Sequence, residues 1–138
     1  MANIAKKILI TEDDPAIMDV LTLILANNNM KVCCHTNGAA LLENKFEIPD
    51  LFLLDKQLSG VDGLDICRHL KSQDLTRNIP IVVISASPHV HSQALEAGAD
   101  EFLEKPFSNK NLLFVVRKHL ADRWLFQVCS LRVAGTII

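Results

Sequence analysis

Strand-length apolar runs alternate with helically spaced ones five times along this chain, and that alternation restricts the fold more than any other feature. "KKILIT" (6–11), "MKVCCH" (30–35), "DLFLLD" (50–55), "IPIVVISA" (79–86) and the weaker "DEFLEK" (100–105) read as strands. Between them, "DPAIMDVLTLILANN" (14–28), "NGAALLENK" (37–45), "LDICRHLKSQ" (64–73) and "HVHSQALEAG" (89–98) read as helices, and "SNKNLLFVVRKHL" (108–120) as a fifth. Asp14-Pro15 is an N-cap followed by proline at N1, Gly98 suits a C-terminal cap, and Ser108 suits an N-cap. The strands are continuous apolar runs, where a half-solvated antiparallel strand would alternate. The pattern therefore predicts a parallel sheet with helices on both faces. No repeat, low-complexity stretch or linker interrupts it before residue 121.

In such a sheet the ligand site lies beyond the carboxyl ends of the strands. Glu12-Asp13-Asp14 follow the first strand, Asp55 ends the third, Ser85-Ala86 follow the fourth and Lys105-Pro106 the fifth. Asp55 ends a strand that reads as buried on both faces, and a carboxylate there is costly to desolvate without partners. Carboxylates crowded at one edge repel one another unless a cation joins them. Oxygen ligands with room for water suit Mg²⁺. A lysine opposite a metal-held aspartate is a phosphoryl-binding arrangement, which makes Asp55 a nucleophile kept ionised by metal and lysine.

The segments "ILITEDDP", "LFLLDKQLSGVDG", "IVVISAS" and "EFLEKPF", in that order over about residues 5–120, resemble the response-regulator receiver domain of two-component signalling. The resemblance implies a flavodoxin-like (βα)5 fold with strand order 2-1-3-4-5. It implies that Asp55 accepts a phosphoryl group from a histidine kinase, a histidine phosphotransfer protein or a small phosphodonor. It further implies Mg²⁺ (Mn²⁺ being able to substitute) held by Asp13 directly, by Glu12 mostly through water, by Asp55, and by the main-chain carbonyl of Gln57. Ser85 would bond a phosphoryl oxygen, Ala86 would leave room for it, and Lys105 would form the ion pair, with Lys105-Pro106 cis. Phe102 matches the aromatic switch position coupled to Ser85, so that the face of helix four, strand five and helix five repacks and alters binding of a downstream effector. Such a domain assists its own phosphorylation and dephosphorylation and turns over no external metabolite, so it is expected not to be an enzyme.

The chain departs from the family pattern at three places. Ser59 stands where the loop usually has proline, Glu12 where aspartate is commoner, and Phe102 where many relatives have tyrosine. Simpler roles compete for several residues: N-cap for Asp14, turn and helix start for Asp62-Gly63, core for Phe102, strand end for Ser85, solvated loop for Lys105. His89 and His91 are two apart on a helix and point apart, which argues against shared metal ligation. His35, His69 and His119 form no pattern.

A net charge of −2 provides no basic field, so direct nucleic-acid binding is not expected. No signal segment and no membrane span are read, which with the cysteines suggests the cytoplasm. Cys33, Cys34, Cys67 and Cys129 lack metal or disulfide spacing and read as small buried hydrophobes. Residues 121–138 fall outside the resemblance and are expected to extend helix five, with Leu112, Val116, Leu120 and Trp124 at every fourth position, or to pair with a second copy as a homodimer. An aspartate-nucleophile phosphatase would need an acid two residues after Asp55, where Gln57 stands. A flavin or dinucleotide binder would need a glycine-rich loop after the first strand. A non-phosphorylated pseudo-receiver, serving as an interaction or dimerisation module, would be favoured by loss of Asp13, Asp55 or Lys105, and all three are present.

Overall fold

Side chains of alternate residues on each strand leave for opposite faces, and here both faces are covered. In a computed structural model that describes residues 5–58 and 60–120, five strands form one parallel sheet: β1 Lys6–Thr11, β2 Met30–His35, β3 Leu51–Asp55, β4 Ile81–Ser85 and β5 Glu101–Glu104. Their spatial order is β2-β1-β3-β4-β5, which is the 2-1-3-4-5 order of flavodoxin-like folds. The central register sets Leu53 beside Ile10 on one side and Val82 on the other, so β1, β3 and β4 finish at one edge.

Helices α1 (Pro15–Ala26) and α5 (109–120) bury Met18, Leu21, Leu25, Leu112 and Val116 against Ile8, Ile10, Leu51, Leu53, Val82 and Ile84. The opposite face takes α2 (Ala39–Leu42), α3 (Gly63–Ser72) and α4 (Val90–Glu96). There Leu41, Leu64, Ile66, Cys67, Leu70, Val90 and Ala94 pack on Leu9, Phe52, Leu54, Ile81 and Val83. Every residue of β3 is buried, which is why "LFLLD" shows no alternation.

The caps explain the helix bounds. Asp14 Oδ1 accepts from the N–H groups of Ala16 (2.9 Å) and Ile17 (3.4 Å), and Ser108 Oγ accepts from Asn111 N–H at 3.0 Å. Gly98, at φ +102°, lets the chain leave α4 so that Ala99 N–H reaches the Ala94 carbonyl. The expected helix over 37–45 shrinks to four residues. Asn44 takes φ +59°, and Lys45 N–H bonds back to the Ala40 carbonyl at 2.8 Å, a left-handed C-terminal stop. The loop after β3 is also more ordered than expected, since Gln57–Leu58 pairs antiparallel with Val61–Asp62 around Gly60 at φ +78°. Cys67 is buried but Cys34 is exposed, which corrects the reading of the cysteines as uniformly interior. Cys129, Ser59 and the expected 121–138 extension, Trp124 included, lie outside the described residues. Among the described residues no helix is long and apolar enough to cross a membrane.

Candidate functional site

Asp55 sits at the last position of β3 and is 5% exposed. Its main-chain N–H lies 3.3 Å from Thr11 Oγ1. Its carboxylate is held at both oxygens: Oδ1 accepts from Gln57 N–H at 3.0 Å, and Oδ2 accepts from Lys105 Nζ at 2.8 Å. The chain doubles back immediately below. Gly63 N–H bonds the Lys56 carbonyl at 2.9 Å, and a Cβ on Gly63 would collide with the Asp55 carbonyl. Only glycine allows α3 to start this close to the end of β3.

Glu12, just past β1, is 2% exposed. Its Oε1 accepts from Asp14 N–H at 3.2 Å and its Oε2 from Lys105 Nζ at 3.2 Å. Carboxylate oxygens of Glu12, Asp13 and Asp55 all lie within 4.8 Å of one another. Burial, and then a hydrogen bond shared with the Asp55 carboxyl, push the Glu12 carboxyl up to about 7. Burial alone would lower the Lys105 ammonium, but the bond to Asp55 and the two nearby carboxylates outweigh it and raise it. One ammonium is thus shared by Asp55 and Glu12, with an Asp13 carboxylate oxygen close by. Hard oxygen donors at this spacing fit Mg²⁺.

Asp14 turns away and spends Oδ1 on the α1 cap. Ser85, 4% exposed, ends β4 with its Oγ accepting from Ser87 N–H at 3.1 Å. Its carbonyl accepts from Lys105 N–H at 2.9 Å, so Ser85 and Lys105 are tied at the same edge. The Lys105–Pro106 bond is cis. Ala86 is exposed and borders a groove of about 550 Å³ that runs past Lys105 and Pro106 to Ile17, Val20 and Phe107. Gln57 is exposed and bonded to Asp55 through its main-chain N–H. Phe102 stands apart from the acidic cluster: it pairs with Val83 in the sheet, is half-buried, and stacks on His91 with ring centroids 5.1 Å apart.

Three features of this edge escaped the sequence reading. Asp62 does cap α3, accepting from Leu64 N–H at 2.8 Å, but its Oδ2 also pairs with Lys56 at 3.1 Å. The Thr11 hydroxyl reaches the Asp55 main chain across the sheet. The apolar groove joins α1 to the Pro106-Phe107 turn. Val20 of α1, apolar yet exposed, lines that groove.

The sequence model described as "Response regulator receiver domain" matches residues 8–117. The DNA-binding response regulator MtrA of Mycolicibacterium smegmatis is 34% identical over 123 residues, 87% of this chain and 53% of that protein. The phosphate regulon transcriptional regulatory protein PhoB of Escherichia coli is 35% identical over 112 residues, 79% of this chain and 49% of PhoB. The chain thus spans about half the length of these curated relatives. Among solved structures, the signal receiver domain of a signal transduction histidine kinase from Syntrophus aciditrophicus superposes with a TM-score of 0.78 at 32% identity, covering 86% of this chain and 92% of that one.

Proposed function

The chain belongs to the response regulator receiver domain family, and from that premise we propose that it is a phosphorylation switch whose phosphoacceptor is Asp55. The observation that carries the reading is the meeting of Asp55, Glu12, Asp13 and Lys105 at one sheet edge, with a single ammonium bonded to two of the three carboxylates.

Asp55 attacks the phosphorus of a phosphohistidine in a kinase or histidine phosphotransfer protein. The Asp55 O–P bond forms as the donor N–P bond breaks, and the imidazole nitrogen keeps the electron pair and takes up a proton. Lys105 moves from the Asp55 carboxylate to a phosphoryl oxygen, and the Ser85 hydroxyl, turning inward, donates to another. Asp13, Asp55, the Gln57 carbonyl and, through water, Glu12 are the groups that would hold Mg²⁺, or Mn²⁺ in its place, which supplies positive charge against the phosphoryl oxygens. Exposed Ala86 puts no bulk in the path. The apolar groove along α1 opens beside Lys105 and suits an apolar helix of the donor protein.

An acyl phosphate carries a charge of about −2 where the free carboxylate carried −1. That charge rewards the Ser85-inward arrangement, Phe102 follows into the space left, and the α4–β5–α5 face changes its affinity for an effector. In a longer protein the effector could be a DNA-binding segment, as the description of MtrA suggests. These 138 residues, at net charge −2, carry no basic field of their own. The domain acts on itself and consumes no outside metabolite.

Intact-mass spectrometry after incubation with acetyl phosphate and Mg²⁺ tests the reading. One added phosphoryl group is expected for the native chain and none for Asp55→Asn or for a metal-free sample. Equal labelling of Asp55→Asn would overturn it.

A further inference from the structure

Helix α4 is held to the sheet by small side chains. Its buried residues are Val90 and Ala94, where α3 buries Leu64, Ile66, Cys67 and Leu70. Little apolar area therefore fixes its position, and a contact along its edge carries unusual weight. Such a contact exists. His91, in the first turn of α4, lies nearly parallel to the Phe102 ring of β5, with 15° between the planes and 5.1 Å between the centroids. Phe102 is half-buried and packs against the same cluster that receives Val90 and Ala94, while His91 stands on the solvent side. The imidazole thus braces the phenyl ring from the solvent side, and Phe102 carries no hydroxyl to bond another group.

We propose that His91 is a latch on Phe102: the stack stabilises the ring in its half-buried position, and thereby ties the position of α4 to the state of the phosphorylation site. The inference rests on the receiver reading above. Moving Phe102 inward breaks the stack and uncovers His91, so the α4–β5 surface changes in shape and in the groups it offers. The stack is made with the ring half-buried, as it stands here, so removing it shifts the balance toward the inward arrangement without touching Asp55, Lys105 or the acidic pair. A stacked aromatic pair is worth about a two- to tenfold change in such an equilibrium. The binding-competent fraction, and with it the apparent affinity for a phosphoryl mimic, rises by the same factor while the inward form is the minor one.

The test is calorimetric titration of the full chain with beryllofluoride in the presence of Mg²⁺. His91→Ala should bind about two- to tenfold more tightly than the native chain. His91→Phe, which keeps a stacking ring, should behave as native. In a Phe102→Ala background, His91→Ala should have no further effect, which a merely structural role would not produce. Unchanged or weaker binding by His91→Ala would overturn the latch, and so would an equal gain in the Phe102→Ala background. Failure of the native chain to bind beryllofluoride is the distinguishable outcome that removes the receiver reading and the latch together.

Discussion

An aspartate stands at each end of strand β3, and each accepts from a main-chain N–H, but only Asp55 also shares a cation with other acids. Asp50, just before the strand, accepts from the main-chain N–H of Lys7 at 2.8 Å and so caps β1. Asp100 does the same for β4, accepting from Ile81 N–H at 2.8 Å and from Lys71 Nζ at 3.0 Å. Lys71 is itself pinned by the carbonyls of Arg77 and Ile79. The acids of the amino edge therefore rest on donors that are part of the scaffold. At the carboxyl edge Asp55 shares its surroundings with Glu12 and Asp13, and its cation is one lysine that also serves Glu12. Fixed donors make an acid structural. An ammonium divided between two buried carboxylates, with a third close by, satisfies them less completely and suits the approach of a cation.

Substitutions at the two edges should separate these roles. The largest effect is expected from Lys105→Gln, which leaves the acids without their ammonium. Labelling by acetyl phosphate, followed by intact mass, should slow by about 100-fold or more, and a native rate would remove Lys105 from the chemistry. Gly63→Ala comes next. Its Cβ has no space against the Asp55 carbonyl, so urea unfolding should show a loss of about 1–3 kcal/mol, together with slower labelling because the end of β3 must shift. Asp100→Ala should cost about 1–2 kcal/mol in the same unfolding assay through the orphaned Ile81 N–H, and it should leave the labelling rate alone. A labelling defect in this variant would erase the contrast between the edges.

The smallest effect concerns pH. The folded-state Glu12 carboxyl titrates at about 7 against an ordinary 4.5, so between those values the folded chain holds more protons than the unfolded one. The Glu12 contribution to stability without metal should therefore fall as pH rises from about 4.5 to about 7, and Mg²⁺ should offset the Glu12 part. Half-buried His35, its pKa lowered by burial, works the other way. Melting temperatures of the native chain and of Glu12→Gln at pH 5 and pH 7.5, with and without Mg²⁺, check the sign. A metal-free native chain that gains on Glu12→Gln over that interval would contradict it.

Much of the architecture was legible because "LFLLD" and "IVVIS" are buried on both faces, and burial on both faces erases alternation. Helix bounds were legible where a side chain sets them, as Asp14 and Ser108 do. They failed at α2, whose end is set by Asn44 entering a left-handed conformation, an option open to many asparagines and taken by few. The hairpin after β3 was missed because two-residue arms carry no period. Lys56 pairing with Asp62 was invisible for a related reason: either residue alone reads as a solvated loop charge. In sequence His91 reads only as one of two histidines pointing apart, since its partner Phe102 lies in a different element.

Taken by itself, the sequence determined the alternation of elements, the residue types at each strand end and thus the candidate list of Glu12, Asp13, Asp55, Ser85 and Lys105. These are local properties, written in period and in chain order. Tertiary structure alone decided which of them meet. Lys105 reaches Glu12 across 93 positions of sequence, and that contact exists only because parallel strands return through helices to finish at one common edge. The same assembly decided that Asp14 turns to its helix while Asp13 stays with the cluster, and that Phe102 finds a histidine to rest on. Distance, burial and the sharing of a single ammonium belong to the packed molecule, since no segment can desolvate a carboxylate or supply its cation alone.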